Sequence, residues 1–185
     1  PMRTPAVLIL SCLAFATPAF AQETPAPAQA AAPKKAAVYD EKADAKAEIA
    51  KAVARAKKDN KRVLIQWGAN WCGWCVKLDA TMKKDAKLSR EMMYEYELVK
   101  VDVGQFDKNT DLYDGYGAKL KYTGIPYLTV LDADGKVLVN QDSGSLEKGE
   151  NHDVAKVLGF LKSHEATPQN SSDLLSAALT SAKTE

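Results

Sequence analysis

The chain has 185 residues, and its 25 Lys and Arg residues nearly balance 24 Asp and Glu residues, for a formal net charge of +1. This length suits one globular domain with additional segments at its ends. The balanced charge gives no indication of a nucleic-acid partner or of an anionic membrane partner.

The first 21 residues have the pattern of a secretory signal peptide. Arg3 supplies a basic start, residues 5–15 are mostly apolar, and residues 19–21 (AFA) have the small-x-small sequence that a signal peptidase requires. We therefore expect export to the periplasm, with cleavage after Ala21. The apolar run is short for a membrane anchor, so we expect no membrane span in the mature chain. Acylation of Cys12, as in a lipoprotein, is an alternative.

The composition divides the rest of the chain into three parts. Residues 22–39 are mainly Ala, Pro and polar residues, which predicts a flexible tether. Regular hydrophobic spacing follows, and we place one domain at residues 40–165. The last segment, residues 166–185, is interpreted as a tail in which residues 174–179 form a short helix.

The domain is predicted to begin with a helix capped by Asp40. Its apolar residues recur at helical spacing: Ala45, Ile49, Ala52, Val53 and Ala56. The charged run 57–62 ends this helix, and residues 63–67 (VLIQW) predict a buried strand. A second helix is expected to begin within the cysteine motif that follows, at Cys72.

The remaining elements complete an α/β fold with a central mixed sheet flanked by helices. The first of them are a helical segment at 89–96, a strand at 98–103 and a loop with a short helix at 107–120. A hairpin follows, with strands at 127–131 and 137–140. The last element is a helix capped by Asp153, whose inward residues are Val154, Val157, Leu158 and Leu161.

Cys72 and Cys75 are the candidate catalytic residues. Three residues apart, they close only a small loop, so a bond between them stabilises little as a structural crosslink. Disulfide exchange needs one thiolate that attacks and a second thiol that resolves the mixed disulfide. At a helix N-terminus, free N–H groups and the helix dipole favour the thiolate of Cys72. Cys75 then lies one turn along the helix and faces it.

A zinc site is the main alternative for this pair. A structural zinc ion needs four ligands, and besides the two thiols only His152 and His164 are available, both far along the chain. We therefore expect neither a metal ion nor another cofactor. Both histidines are interpreted as surface or capping residues.

The sequence resembles the thioredoxin superfamily over residues 40–165. The motif WCGWC at residues 71–75 follows an apolar strand, and residues 124–126 (GIP) precede the predicted hairpin. The resemblance implies a thioredoxin fold, protein thiols and disulfides as partners, and a redox donor or acceptor that the sequence does not identify. It also implies that Pro126 is cis and lies against the dithiol, and that an incoming substrate strand pairs beside Ile125. Trp71, Gly73 and Trp74 would complete the substrate-binding surface.

The sequence departs from this family in several places. Gln66 stands six residues before Cys72, where the family has a buried acid, and an amide cannot act as a base. Lys100 matches the lysine that neighbours this acid, so we expect it to be unpaired or paired elsewhere. Trp74 replaces a proline and is either a substrate platform or a residue that packs over its own helix. The usual first strand is missing. Of the other tryptophans, Trp71 is expected to cover the sulfurs.

Two functions are compatible with these residues. The first is an exported thiol–disulfide oxidoreductase that exchanges disulfides with proteins through Cys72 and Cys75, with Gln66 and Lys100 modulating the reaction. Its direction, as reductase, oxidase or isomerase, is left open. The second is a thioredoxin-fold binding or redox-sensing module without turnover.

Overall fold

The computed structural model describes residues 37–166, so the expectations for the signal peptide, most of the tether and the C-terminal tail lie outside them. The helices are α1 (Ala45–Asp59), α2 (Gly73–Lys84), α3 (Ala86–Glu95), α4 (Thr110–Gly115), α5 (Leu120–Thr123) and α6 (Val154–Lys162). In this part of the chain, no helix combines the length and the apolarity needed to cross a bilayer.

The described strands form a four-stranded mixed sheet and a small hairpin. The strands are β1 (Arg62–Gly68), β2 (Tyr96–Asp102), β3 (Tyr127–Leu131), β4 (Val137–Asp142), β5 (Glu147–Lys148) and β6 (Asn151–His152). The order in the main sheet is β2-β1-β3-β4, in which β1 is parallel to β2 and antiparallel to β3. β5 and β6 pair with each other. This is the predicted thioredoxin fold, with helices on both faces of a mixed sheet.

The central strand β1 is covered on both faces, which explains its nearly continuous apolar sequence. Because successive side chains point to opposite faces, Ile65 and Trp67 pack in the layer of α1. Leu64 packs in the opposite layer, with residues of α2, α3 and α6. Gln66 shares the face of Leu64, so its side chain is directed toward the helix that carries the cysteine motif.

The start of α1 differs from the prediction. Asp44, not Asp40, is the N-cap, and its Oδ1 accepts a hydrogen bond from the Ala47 N–H at 3.0 Å. The Asp40 carboxylate instead accepts from the Lys42 N–H, which closes a turn before the helix. Both aspartates precede the first apolar residue of the helix, so the spacing of the apolar residues does not show which of them is the N-cap.

The last helix is capped by Asp153, as predicted, and Val157 and Leu161 are fully buried. Val154, the first residue of this helix, was expected to point inward but is 36% exposed. The small hairpin of β5 and β6 was not predicted. It buries His152, which is therefore not the surface or capping residue that we expected.

Candidate active site

The two cysteines lie where β1 gives way to α2. Cys72 is the N-cap of α2, and its Sγ accepts a hydrogen bond from the backbone N–H of Cys75 at 3.1 Å. The Cα atoms are 5.3 Å apart, and the two side chains form a disulfide. The first turn of a helix has backbone N–H groups without an intrahelical partner. One of these donors, the Cys75 N–H, together with the positive end of the helix dipole, is therefore directed at the Cys72 sulfur.

The segment before β3 closes the other side of the dithiol. The Ile125–Pro126 peptide bond is cis, as predicted. The Ile125 carbonyl oxygen lies 3.5 Å from Cys72 Sγ, so in the reduced protein the thiol can donate a hydrogen bond to it. Cys75 is completely buried, whereas Cys72 retains 6% exposure. Of the two sulfurs, Cys72 is therefore the one that faces an incoming molecule.

Comparison with known proteins agrees with this geometry. The thioredoxin-like family model matches residues 44–133. The disulfide bond reductase DsbH of Chlamydia pneumoniae is 30% identical over 122 residues, which cover 61% of this chain and 70% of that protein. The chain belongs to the thioredoxin superfamily. Its cysteine pair has the CxxC spacing of the thiol–disulfide oxidoreductases in this superfamily.

Two further relatives support the assignment. The solved structure of a disulphide isomerase from Xylella fastidiosa Temecula1 is 35% identical, with a TM-score of 0.61. The superposition covers 68% of this chain and 95% of that one. Thioredoxin-1 of Drosophila yakuba is 33% identical over 55 residues, which cover 30% of this chain and 49% of that protein.

Gln66 and Lys100 do not interact as the acid and lysine of a thioredoxin do. Gln66 is fully buried; its Nε2 donates to the hydroxyl of Tyr39 at 2.8 Å, and its Oε1 has no hydrogen-bond partner among the described residues. Lys100 pairs instead with Asp79 of α2, which also accepts from Lys83 at 2.9 Å. The lysine is therefore paired elsewhere, one of the two outcomes that the sequence left open.

Asp79 is a site residue that the sequence analysis missed. It is 7% exposed and lies four residues after Cys75, on the side of α2 that meets the sheet. Burial alone would raise the pKa of its carboxyl. Hydrogen bonds and positive charge from Lys100 and Lys83 outweigh burial and hold the pKa of Asp79 below its ordinary value. The sequence contained one signal for Asp79, because it places a polar side chain on the inward side of a predicted helix.

The two motif tryptophans have different surroundings. Trp71 is 52% exposed; its indole N–H donates to the Gly104 carbonyl at 2.7 Å, and its ring meets Phe106 edge-on. These contacts anchor one side of the ring to the loop after β2 and leave the other side accessible. Trp74 is partly buried and packs edge-on against His152, with ring centroids 5.4 Å apart. This contact is with the β5–β6 hairpin and not with the helix of Trp74 itself, so neither interpretation from the sequence named it.

A second missed residue, Tyr39, lies directly against the sulfurs. It is 1% exposed and forms an apolar cluster with Cys72 and Cys75. From the sequence, Tyr39 was placed in the tether because the segment before it is rich in Ala and Pro. No local periodicity marks it, since its partners lie about thirty residues along the chain.

Proposed function

We propose that this protein is an exported thiol–disulfide oxidoreductase, which exchanges disulfides with partner proteins through Cys72 and Cys75. The observation that carries the proposal is the position of the Cys72 sulfur at the N-terminus of α2, where the Cys75 N–H donates to it. Hydrogen bonds to an anion favour its charged form, so this position increases the thiolate fraction of the reduced protein.

The exchange proceeds in two substitutions at sulfur. In the first, the Cys72 thiolate attacks one sulfur of a partner disulfide, a new bond joins Cys72 to the partner, and the other partner sulfur leaves as a thiolate. In the second, the Cys75 thiolate attacks Cys72 Sγ, the internal disulfide forms, and the second partner thiolate leaves. The partner gains two electrons and the dithiol loses two. The reverse sequence oxidises a partner dithiol.

The surface for an extended partner chain is proposed beside Pro126. The Ile125 carbonyl and the exposed side of Trp71 flank Cys72, and Gly73 is open because a side chain there would meet nothing within 4 Å. Trp74 contributes the part of its surface that His152 leaves uncovered. A strand that paired along this edge would bring its own sulfur to Cys72.

Export is proposed from the N-terminal sequence, in which the signal pattern ends at Ala21. An oxidising compartment suits a dithiol that cycles through a disulfide. Fractionation of cells that express the full chain, with N-terminal sequencing of the product, tests both the location and the cleavage site.

Trapping with Cys75→Ser tests the function. Without the resolving thiol, a mixed disulfide on Cys72 persists, so reducible adducts with exported cysteine-containing proteins are expected. The control is Cys72→Ser/Cys75→Ser, which should yield none. A folded, exported Cys75→Ser protein that forms no reducible adduct would contradict the proposal and favour the binding module.

Turnover assays determine the direction. The names of the relatives include both a reductase and an isomerase, so both reactions are assayed. Reduction of insulin by the wild-type protein with a dithiol donor measures reductase activity, and recovery of scrambled ribonuclease measures isomerisation. The Cys72→Ser protein should be inactive in both assays. Equal rates for wild type and this variant would exclude enzymatic turnover through the pair.

A further inference from the structure

Tyr39 and Cys75 approach each other across Gly68, the last residue of β1. The Tyr39 hydroxyl oxygen and Cys75 Sγ both lie less than 3.0 Å from the position that a Cβ would take on Gly68. Only glycine leaves room for the two groups there. The phenol ring and both cysteine side chains belong to one buried cluster.

The hydroxyl of Tyr39 has an unused hydrogen. In the amide orientation that the structure shows, Gln66 Nε2 donates to the hydroxyl oxygen at 2.8 Å, so the hydroxyl accepts the bond and its own hydrogen is directed elsewhere. Among residues 37–166 the hydroxyl makes no other hydrogen bond. A buried donor without an acceptor is costly, and the sulfur across Gly68 is a poor acceptor in a disulfide but a strong one as a thiolate.

Asn70 holds Tyr39 in this place. Its Oδ1 accepts from the backbone N–H groups of Val38 and Tyr39, both at 2.9 Å. Its Nδ2 donates to the Tyr39 carbonyl at 2.9 Å and to the Glu41 carboxylate at 2.8 Å. Because Asn70 is two residues before Cys72, the loop that presents the dithiol also fixes the tyrosine beside it.

We propose that the Tyr39 hydroxyl donates a hydrogen bond to Cys75 Sγ in the reduced protein and thereby assists the second, resolving substitution. The inference rests on the function proposed above. It gives the resolving thiol a stabilising donor in a molecule where Gln66 replaces the acid that could take its proton.

The phenol acts as a donor and not as a base. Burial raises the pKa of Tyr39 above its ordinary value, so the hydroxyl stays protonated. The Cys75 proton is released to solvent, and the departing partner thiolate takes up a proton in turn. The new bond is Cys75 Sγ to Cys72 Sγ, and the bond that breaks joins Cys72 to the partner sulfur. The hydroxyl stabilises the attacking thiolate and is unchanged at the end.

The test measures the ionisation of Cys75 in the Cys72→Ser background, where it is the sole thiol of the mature chain. Ultraviolet absorbance of the thiolate is followed against pH. Adding Tyr39→Phe removes one oxygen and keeps the ring, and we expect roughly tenfold less thiolate at neutral pH. The matched control is Tyr96→Phe, which removes another buried hydroxyl, one that donates to the Leu161 carbonyl at 2.6 Å away from the dithiol. It should leave the titration unchanged.

A second substitution guards against a folding defect. Site-specific 3-fluorotyrosine at position 39 keeps the ring and strengthens the donor, so it should increase the thiolate fraction, opposite to Tyr39→Phe. With Cys72 restored, closure of the mixed disulfide with glutathione should slow about threefold in Tyr39→Phe, because the greater nucleophilicity of a less acidic thiol offsets part of the tenfold loss of thiolate.

An identical Cys75 titration in the Tyr39→Phe and Tyr96→Phe proteins, or the absence of any rise with fluorotyrosine, would overturn the inference. These titrations need no partner protein, so they separate this inference from the proposed function. If Tyr39→Phe lowers the Cys75 thiolate fraction as expected but Cys75→Ser traps no partner, the proposed function is contradicted and the role of Tyr39 is not.

Discussion

Asp79 is the buried acid nearest to the dithiol along α2, and its charge is balanced by two lysines of unequal burial. The Lys100 side chain is 18% exposed, whereas that of Lys83 is 65% exposed. A surface ion pair contributes little, but removal of one partner from a buried pair leaves an uncompensated charge. The pair of Asp79 and Lys100 therefore dominates the stability of this site.

Asp79→Ala is expected to lower the free energy of unfolding by about 2 kcal/mol at neutral pH, less than for a fully enclosed pair because the lysines reach solvent. Addition of Lys100→Met should recover more than half of the loss, since no charge is then left unpaired. Lys83→Ala, the control, should change the free energy by less than about 0.5 kcal/mol. Urea denaturation of the four proteins measures these differences.

The pH dependence of the same comparison has a fixed sign. The pKa of Asp79 is lower in the folded protein, so its contribution is present above the ordinary aspartate pKa and is lost as the pH falls below it. The difference in free energy of unfolding between wild type and Asp79→Ala should therefore become smaller in acid. A gap that widened in acid would show that the carboxyl is stabilised in its neutral form.

At the scale of elements, residues 38–41, which precede α1, pack beside the dithiol without forming a strand. With distant parts of the chain, residues 38–41 make four hydrogen bonds to the side chain of Asn70 and accept two more, from Gln66 Nε2 and Lys108 Nζ; none of the six joins them to a sheet edge. One side chain in the cysteine loop thus makes most of the hydrogen bonds that hold residues 38–41 against the dithiol.

Asn70→Ala is expected to release this segment while the rest of the domain stays folded. Each net hydrogen bond contributes about 1 kcal/mol, so hydrogen exchange of the peptide at 37–44 should accelerate at least tenfold. Exchange in β1 should not change. Asn70→Asp, the matched control, keeps the acceptor for the two backbone N–H groups and should retain part of the protection. Unchanged protection in Asn70→Ala would mean that burial of Tyr39 alone holds the segment.

The elements that were predicted correctly are those with a local signal. β1 is a run of apolar residues between charged and Gly-containing segments, and the hairpin of β3 and β4 has a DADG turn. The position of Tyr39 and the pairing of Lys100 have no such signal, because each depends on a contact between distant segments. The sequence thus predicted that Cys72 and Cys75 can form a disulfide, and the family resemblance predicted the cis bond before Pro126, whereas the polar surroundings of Cys75 required the three-dimensional structure.

At the scale of the whole molecule, two titratable groups whose pKa values shift in opposite directions shape the stability. Burial, followed by the neighbouring Glu165, raises the pKa of Glu91 to about 7, although Lys162 lies 4.0 Å away and opposes this shift. Burial, followed by the positive charge of Lys77, lowers the pKa of His152 to about 4. Neither ring nitrogen of His152 has a hydrogen-bond partner among the described residues.

These two groups should give opposite slopes of stability against pH. Between the ordinary Glu pKa and about 7, folded Glu91 binds more protons than the unfolded chain does, so its contribution falls as the pH rises. Between about 4 and the ordinary His pKa, the unfolded chain binds more protons at His152, so that contribution rises with pH. Where the windows overlap, the slopes largely cancel.

We therefore expect a nearly flat stability profile for the wild type between about pH 4.5 and 6.5, and single variants that reveal each slope. Glu91→Gln should become more stable as the pH rises through this window, and His152→Leu should become less stable, each by on the order of 1 kcal/mol. The slope is compared within each protein, so a constant packing penalty of either substitution does not affect the result. Chemical denaturation at several pH values measures it, and the double variant should be flat again. If both single variants kept the wild-type profile, other carboxylates or histidines would control the acid stability of this molecule.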